Sequence, residues 1–141
     1  MKKMLLVTLT LVILIASGET GISSPIGTWL AKDGSKIRIS PCGRNLCGFL
    51  AQPNPQIDPE TGRPWKDNYN VDPAKRNRRL AGVEILISIQ PKSPRNWSGQ
   101  LYNVDDGKVY SGNLIELDHS SVRIEGCALG VCGGENLTRL K

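Results

Sequence analysis

Four cysteines, a single histidine and a few clustered acids and phenols are the residues of this 141-residue chain whose types could do chemistry. Cys42 and Cys47 bracket Gly43-Arg44-Asn45-Leu46, and Cys127 and Cys132 bracket Ala128-Leu129-Gly130-Val131, so one spacing occurs twice. Dithiol redox chemistry wants a C-x-x-C at a helix start to lower the thiol pKa, and neither condition is met. A zinc site on all four sulfurs is the rival, but structural zinc is more often held by shorter knuckles. Cross-linking fits best: cysteines facing each other on antiparallel strands have Cα atoms about 5.5 Å apart, inside the disulfide window. Of the three connectivities we favour bridges 42–47 and 127–132, and we expect no metal and no cofactor. His119 sits in Asp118-His119-Ser120-Ser121, a turn open to solvent, whereas a Ser–His triad needs the imidazole fixed between a carboxylate and a serine. Asp105 and Asp106 precede Gly107 and are explained by turn propensity before paired-acid catalysis.

The compartment supports the sulfur argument. Lys2 and Lys3 lead into a largely apolar run that ends at Ala16-Ser17-Gly18, small residues suited to signal peptidase. We read residues 1–18 as a cleaved signal peptide. The run is too short for the roughly 20 apolar residues of a membrane span, so no stable transmembrane anchor is expected after cleavage. A single domain over 25–141, periplasmic or secreted, is the expectation, and an oxidising compartment favours disulfides. The formal charge of +5 shrinks when Lys2 and Lys3 leave with the leader. Lys75, Arg76, Arg78 and Arg79 crowd together without interleaved aromatics to stack on bases, so nucleic acid is not an expected partner.

Elements must position these residues, and the patterning is β throughout. Ile37 and Ile39 alternate with Arg38 and Ser40, and the Asp33-Gly34 pair turns an earlier strand around Trp29 into this one. The cysteine turn returns the chain through Phe49. Val83, Ile85, Ile87 and Ile89 alternate with Glu84, Leu86, Ser88 and Gln90, predicting a strand with one buried face that Pro91 and Pro94 end. Later strands run from Trp97 to Tyr102, from Lys108 to Leu117 through the Asp106-Gly107 turn, through Val122 to Glu125, and from Glu135 to Arg139. About eight short strands without helical periodicity predict an all-β antiparallel up-and-down barrel, since closure removes exposed edges; a two-sheet sandwich is the alternative. Residues 52–79 break the pattern with Pro53, Pro55, Pro59, Pro64 and Pro73, a long Pro-rich loop of the kind that serves as a lid or binding segment. Trp65 stands on it, either facing a ligand or anchoring the loop to itself.

Several pieces together resemble the bacterial secreted family called domain of unknown function 2147. They are Ser40-Pro41-Cys42-Gly43, Leu46-Cys47-Gly48, Arg76-x-Arg78 ahead of Leu80 and Gly82, Trp97-x-Gly99-x-Leu101-Tyr102, Asp106-Gly107 with Tyr110, and Thr138-Arg139. The resemblance spans nearly the whole mature chain and implies an exported protein with a lipocalin-like β-barrel, and no particular reaction. It also implies that Arg139 on the last strand packs on Trp29 of Gly27-x-Trp29 to close one barrel end. Arg78, Tyr102, Asp106 and Tyr110 are the polar residues that the resemblance, with Trp65 from the loop, marks as candidates for ligand binding.

Two classes of function follow. In the first, a non-catalytic barrel binds a small apolar or amphipathic ligand, because aliphatic walls with Phe49 as the single phenylalanine leave room inside an eight-strand barrel. In the second, an envelope protein with a filled interior uses its basic Pro-rich loop to dock a protein or an anionic surface polymer. Catalysis ranks third, with no assigned catalytic residue.

Overall fold

The computed structural model describes residues 24–141, and the leader expected over 1–18 lies outside the described residues. Eight strands follow in chain order: β1 Gly27–Leu30, β2 Lys36–Cys42, β3 Asn45–Gln52, β4 Glu84–Ser93, β5 Asn96–Asn103, β6 Lys108–Asp118, β7 Ser121–Ala128 and β8 Val131–Arg139. Each pairs antiparallel with its sequence neighbour, and β8 returns to β1 through Trp29↔Arg139 and Leu30↔Thr138, which closes the sheet into a barrel. Closure pairs the two terminal strands, although β8 from Val131 to Leu137 has no register partner on β1.

Up-and-down connectivity sorts the turns into two ends. One end carries the β2–β3, β4–β5 and β6–β7 turns together with the start of β1 and the finish of β8. The other carries the β1–β2, β5–β6 and β7–β8 turns and the long segment 53–83 between β3 and β4. The bridge Cys42–Cys47 staples a turn at the first end, with Cα atoms 5.8 Å apart, and Cys127–Cys132 staples the β7–β8 turn at the second, at 4.0 Å. Both close short loops, so each locks its own hairpin and contributes about 2 kcal/mol in the chain-entropy account.

Strand alternation sends Ile37, Ile39, Leu50, Leu114, Val122, Ile124 and Leu137 inward as core. The first end is filled: Trp29, Leu86, Ile89, Leu114, Val122 and Leu137 have no exposed surface. Arg139 lies over the Trp29 ring with its guanidinium carbon 4.2 Å from the centroid. From there it donates to the carbonyls of Ser24, Ile26 and His119, tying the segment before β1 to the β6–β7 turn.

Strand β4 departs from the expected alternation. Leu86, expected outward, is fully buried, whereas Ile87, expected inward, is half-buried. The register slips against β3 on both sides of Gly48 and against β5 between Ile87 and Gln90, and Ser88 takes a positive φ of 46°. These are the marks of a bulge that disturbs the facing locally, at Leu86 and Ile87, while Val83, Ile85 and Ile89 are buried as alternation predicts. Gly48 makes room, since a Cβ there would lie 2.8 Å from Leu86 Cδ1. The strand also runs past Pro91 to Ser93. Its pairing with β3 stops at Ile89, while Pro91 remains in register with Trp97 on β5.

Candidate ligand-binding site

Above the filled half the barrel is hollow. A cavity of about 560 Å³ opens at the second end. Its lower wall is aliphatic, made by Ile37, Leu50, Ile85, Leu101 and Ile124, and its rim is polar, with Asp33, Asn54, Asn103, Asp105 and Glu135. Gly133 on β8 contributes no side chain to the wall, and a Cβ there would meet nothing within 4 Å.

The long segment borders this mouth. Trp65 and Leu80 belong to the lining, and Leu80 N–H donates to Trp65 O at 2.9 Å. The Trp65 indole N–H donates to Pro55 O at 2.8 Å, so the ring both faces the cavity and ties the loop to itself. The segment is not the coreless excursion that its composition implies: it holds a 3₁₀ turn at Pro73–Lys75, bridges Ile57↔Pro64 and Lys66↔Arg79, and a polar core of its own.

That core is Asp67, 1 % exposed. Its carboxylate accepts the Tyr102 hydroxyl, the Asn70 side-chain amide at 2.9 Å, and Arg78 through Nε at 2.9 Å and Nη2 at 2.8 Å. Arg78 also lies over the Tyr102 ring at 5.8 Å, and Asn70 donates to the Tyr102 oxygen at 2.9 Å. A buried carboxylate demands such satisfaction, so the cluster clamps the segment onto Tyr102 of β5. Gly107 completes the fit: a Cβ there would stand 1.7 Å from Tyr69 O, so only glycine lets the segment cross the β5–β6 turn.

Of the five candidate residues, Trp65 and Tyr102 border the cavity and the other three are not among its lining residues. Arg78 is engaged by Asp67. Tyr110 donates its hydroxyl to Asp106 across the β5–β6 hairpin. That bond pulls the Asp106 carboxyl below the usual range and pushes the Tyr110 phenol up. Asp67 and Asn70 escaped the sequence reading, because polar residues in a Pro-rich loop read as solvated and their partner Tyr102 is distant in sequence. Among the described residues the one grouping of metal-ligating types is Glu125 with Cys127 and Cys132, whose sulfurs are joined to each other and offer no thiolate. No described helix is long and apolar enough to cross a membrane.

Burial pushes the Tyr102 phenol up to about 12, with the Asp67 hydrogen bond and charge acting the same way and Asn70 and Arg78 opposing. A phenol whose pKa is raised on folding lends stability that is complete below about pH 10, its unfolded value, and is lost as pH climbs toward 12. Tyrosinate absorbance should therefore show a step near pH 12 that Tyr102→Phe removes; a folded variant that keeps the step would assign it to another phenol.

A closed eight-strand antiparallel barrel, filled at one end and hollow at the other, is a lipocalin-like barrel. The chain belongs to the bacterial family described as "Uncharacterized protein conserved in bacteria (DUF2147)", whose model matches residues 27–139. A solved structure with the same fold is protein HP1028 from Helicobacter pylori, reported as a member of the lipocalin family. It is similar at a TM-score of 0.68 and 19 % identity over 82 % of each chain. No curated protein matches the chain.

Proposed function

We propose that this is an exported, non-catalytic barrel that holds a small apolar or amphipathic molecule in the hollow half of its interior, within the bacterial envelope. The cavity of about 560 Å³ carries the reading, since its size falls within the range of small-molecule sites and its floor is aliphatic beneath a polar rim. The Lys2-Lys3 start, the apolar run and Ala16-Ser17-Gly18, together with two disulfides, support the export half of the proposal, in which residues 1–18 are a leader cleaved from a domain at 25–141. Trp65 and Tyr102 serve as mouth residues in this reading, and Arg78, Asp106 and Tyr110 act by holding the loop and hairpin that frame it. Docking of a partner or an anionic polymer through the basic loop has weaker support, because Arg76 and Arg78 spend donors on Asn70 and Asp67.

Burying apolar ligand surface gains about 25 cal/mol per Å² before ordering costs, enough for micromolar affinity. An environment-sensitive hydrophobic dye should bind the folded domain saturably at roughly micromolar concentration. Leu101→Trp, which puts bulk into the cavity from its half-buried wall, should weaken that binding at least tenfold. Undiminished binding to a folded Leu101→Trp protein would place the dye elsewhere and end the carrier reading.

A further inference from the structure

The charge of the cavity rim is one-sided. Its charged lining residues are Asp33, Asp105, Glu125 and Glu135, with no lysine, arginine or histidine among the lining. Glu125 is committed to the outer face, where its carboxylate meets Arg123 Nε at 3.2 Å and the Asn113 amide at 3.3 Å. Glu135 is placed differently. It sits opposite Ile124 on β8, two residues before the fully buried Leu137, so strand alternation turns both toward the interior. Its Oε2 accepts the Lys32 N–H at 3.0 Å, which holds the carboxylate at the mouth between β8 and the β1–β2 turn. Asp33 stands on that turn, where its Oδ1 accepts Ser35 N–H, and Asp105 stands on the β5–β6 turn. An inward carboxylate just above an aliphatic floor, with two more acids around the rim, sets the field that a ligand's head group meets.

We propose that the cavity is selective for cationic amphiphiles, an alkyl chain in the aliphatic floor with an amine or quaternary ammonium head at the Glu135, Asp33 and Asp105 rim; this rests on the carrier reading above. A fatty-acid carboxylate in the same position would face three acids and no cation. Each exposed pair is weak, but the sign changes between the two head groups and several carboxylates act together, so the discrimination is about tenfold or more. Because the rim is open to solvent, salt screens it.

The test compares three ligands with one tail, dodecyltrimethylammonium, dodecanol and dodecanoate, each displacing the hydrophobic dye below its micelle concentration. The ammonium compound should bind about tenfold more tightly than dodecanoate at low salt, with dodecanol between them, and the gap should narrow when salt is raised to about 0.5 M. Glu135→Gln, which keeps an oxygen for the Lys32 N–H, and Asp105→Asn on the exposed turn should each reduce the preference while leaving dodecanol affinity within about twofold. Dodecanoate binding as tightly as the ammonium compound would overturn the head-group assignment and leave the carrier reading standing. A preference unchanged in both variants would overturn the rim as its source. If none of the three displaces the dye, the carrier reading falls and the head-group proposal with it.

Discussion

Trp29→Ala is expected to lower the unfolding free energy by about 3–5 kcal/mol, the range for emptying a buried aromatic site. The indole has no exposed surface, its N–H donates to Pro25 O at 2.9 Å, and its face supports Arg139. Removing it opens a void in the filled end, frees the segment before β1 and takes the aromatic face from under the guanidinium. Surrounding strands cannot collapse into the space, because both sides of the seam are fixed by pairing. Trp65→Ala is the control: that ring is half-buried at the cavity mouth, and its loss costs about 1–2 kcal/mol. Urea unfolding of both proteins gives the comparison. Equal losses would mean that the loop carries as much of the fold as the filled end.

The second large effect concerns Arg78→Met. Its partner Asp67 has a side chain with no exposed surface, while the Arg78 side chain is 40 % exposed. The two ends of this ion pair are therefore unequal. Taking away the arginine strands a buried carboxylate with only Tyr102 and Asn70 as donors, at a cost approaching the 3–5 kcal/mol of a broken buried pair; we expect about 3. Taking away the charge at the other end with Asp67→Asn lets Arg78 turn to water and keeps an acceptor, at about 1–2 kcal/mol. The damage should be local, since the cluster fastens segment 53–83 and not the strands. Tryptic nicking after Lys66, Lys75 or Arg79 should rise about a hundredfold in Arg78→Met, because cleavage tracks the population of the opened loop. An unchanged nicking rate, or a larger one in Asp67→Asn, would show that the carboxylate is not the cluster's costly member.

The elements that could be read from sequence are those whose cause is local. Asp33-Gly34 and Asp106-Gly107 fix their hairpins within a few residues, and Ile37 with Ile39 declares an inner face without help from elsewhere. In β4 the inward facing of Ile85 and Ile89 was legible, but that of Leu86 and Ile87 was not, because the bulge depends on space left by Gly48 on the neighbouring strand, and alternation in one strand carries no record of that. The loop's organisation was hidden for the same reason: Asp67 becomes a core residue only when Tyr102 and Arg78 are brought to it. The rim acids could be seen as letters, yet only the register of Glu135 against Ile124, with Leu137 two residues further along its own strand, turns it inward and separates it from Glu125.

The seam between β1 and β8 has a kinetic side. β1 is four residues long and meets β8 through two register pairs, Trp29↔Arg139 and Leu30↔Thr138, which join nearly opposite ends of the chain. Contacts of such long sequence separation carry the largest loop-closure entropy and form late. As the chain folds the sheet can grow from β2 onward, strand by strand, but it stays an open ribbon until β8 pairs with β1. Until then β1 and the newest strand both present unpaired N–H and C=O groups, the template on which chains add to one another. The barrel's most exposed moment therefore comes before its final nine-residue strand arrives, and a chain cut short of Val131 would remain in that moment permanently.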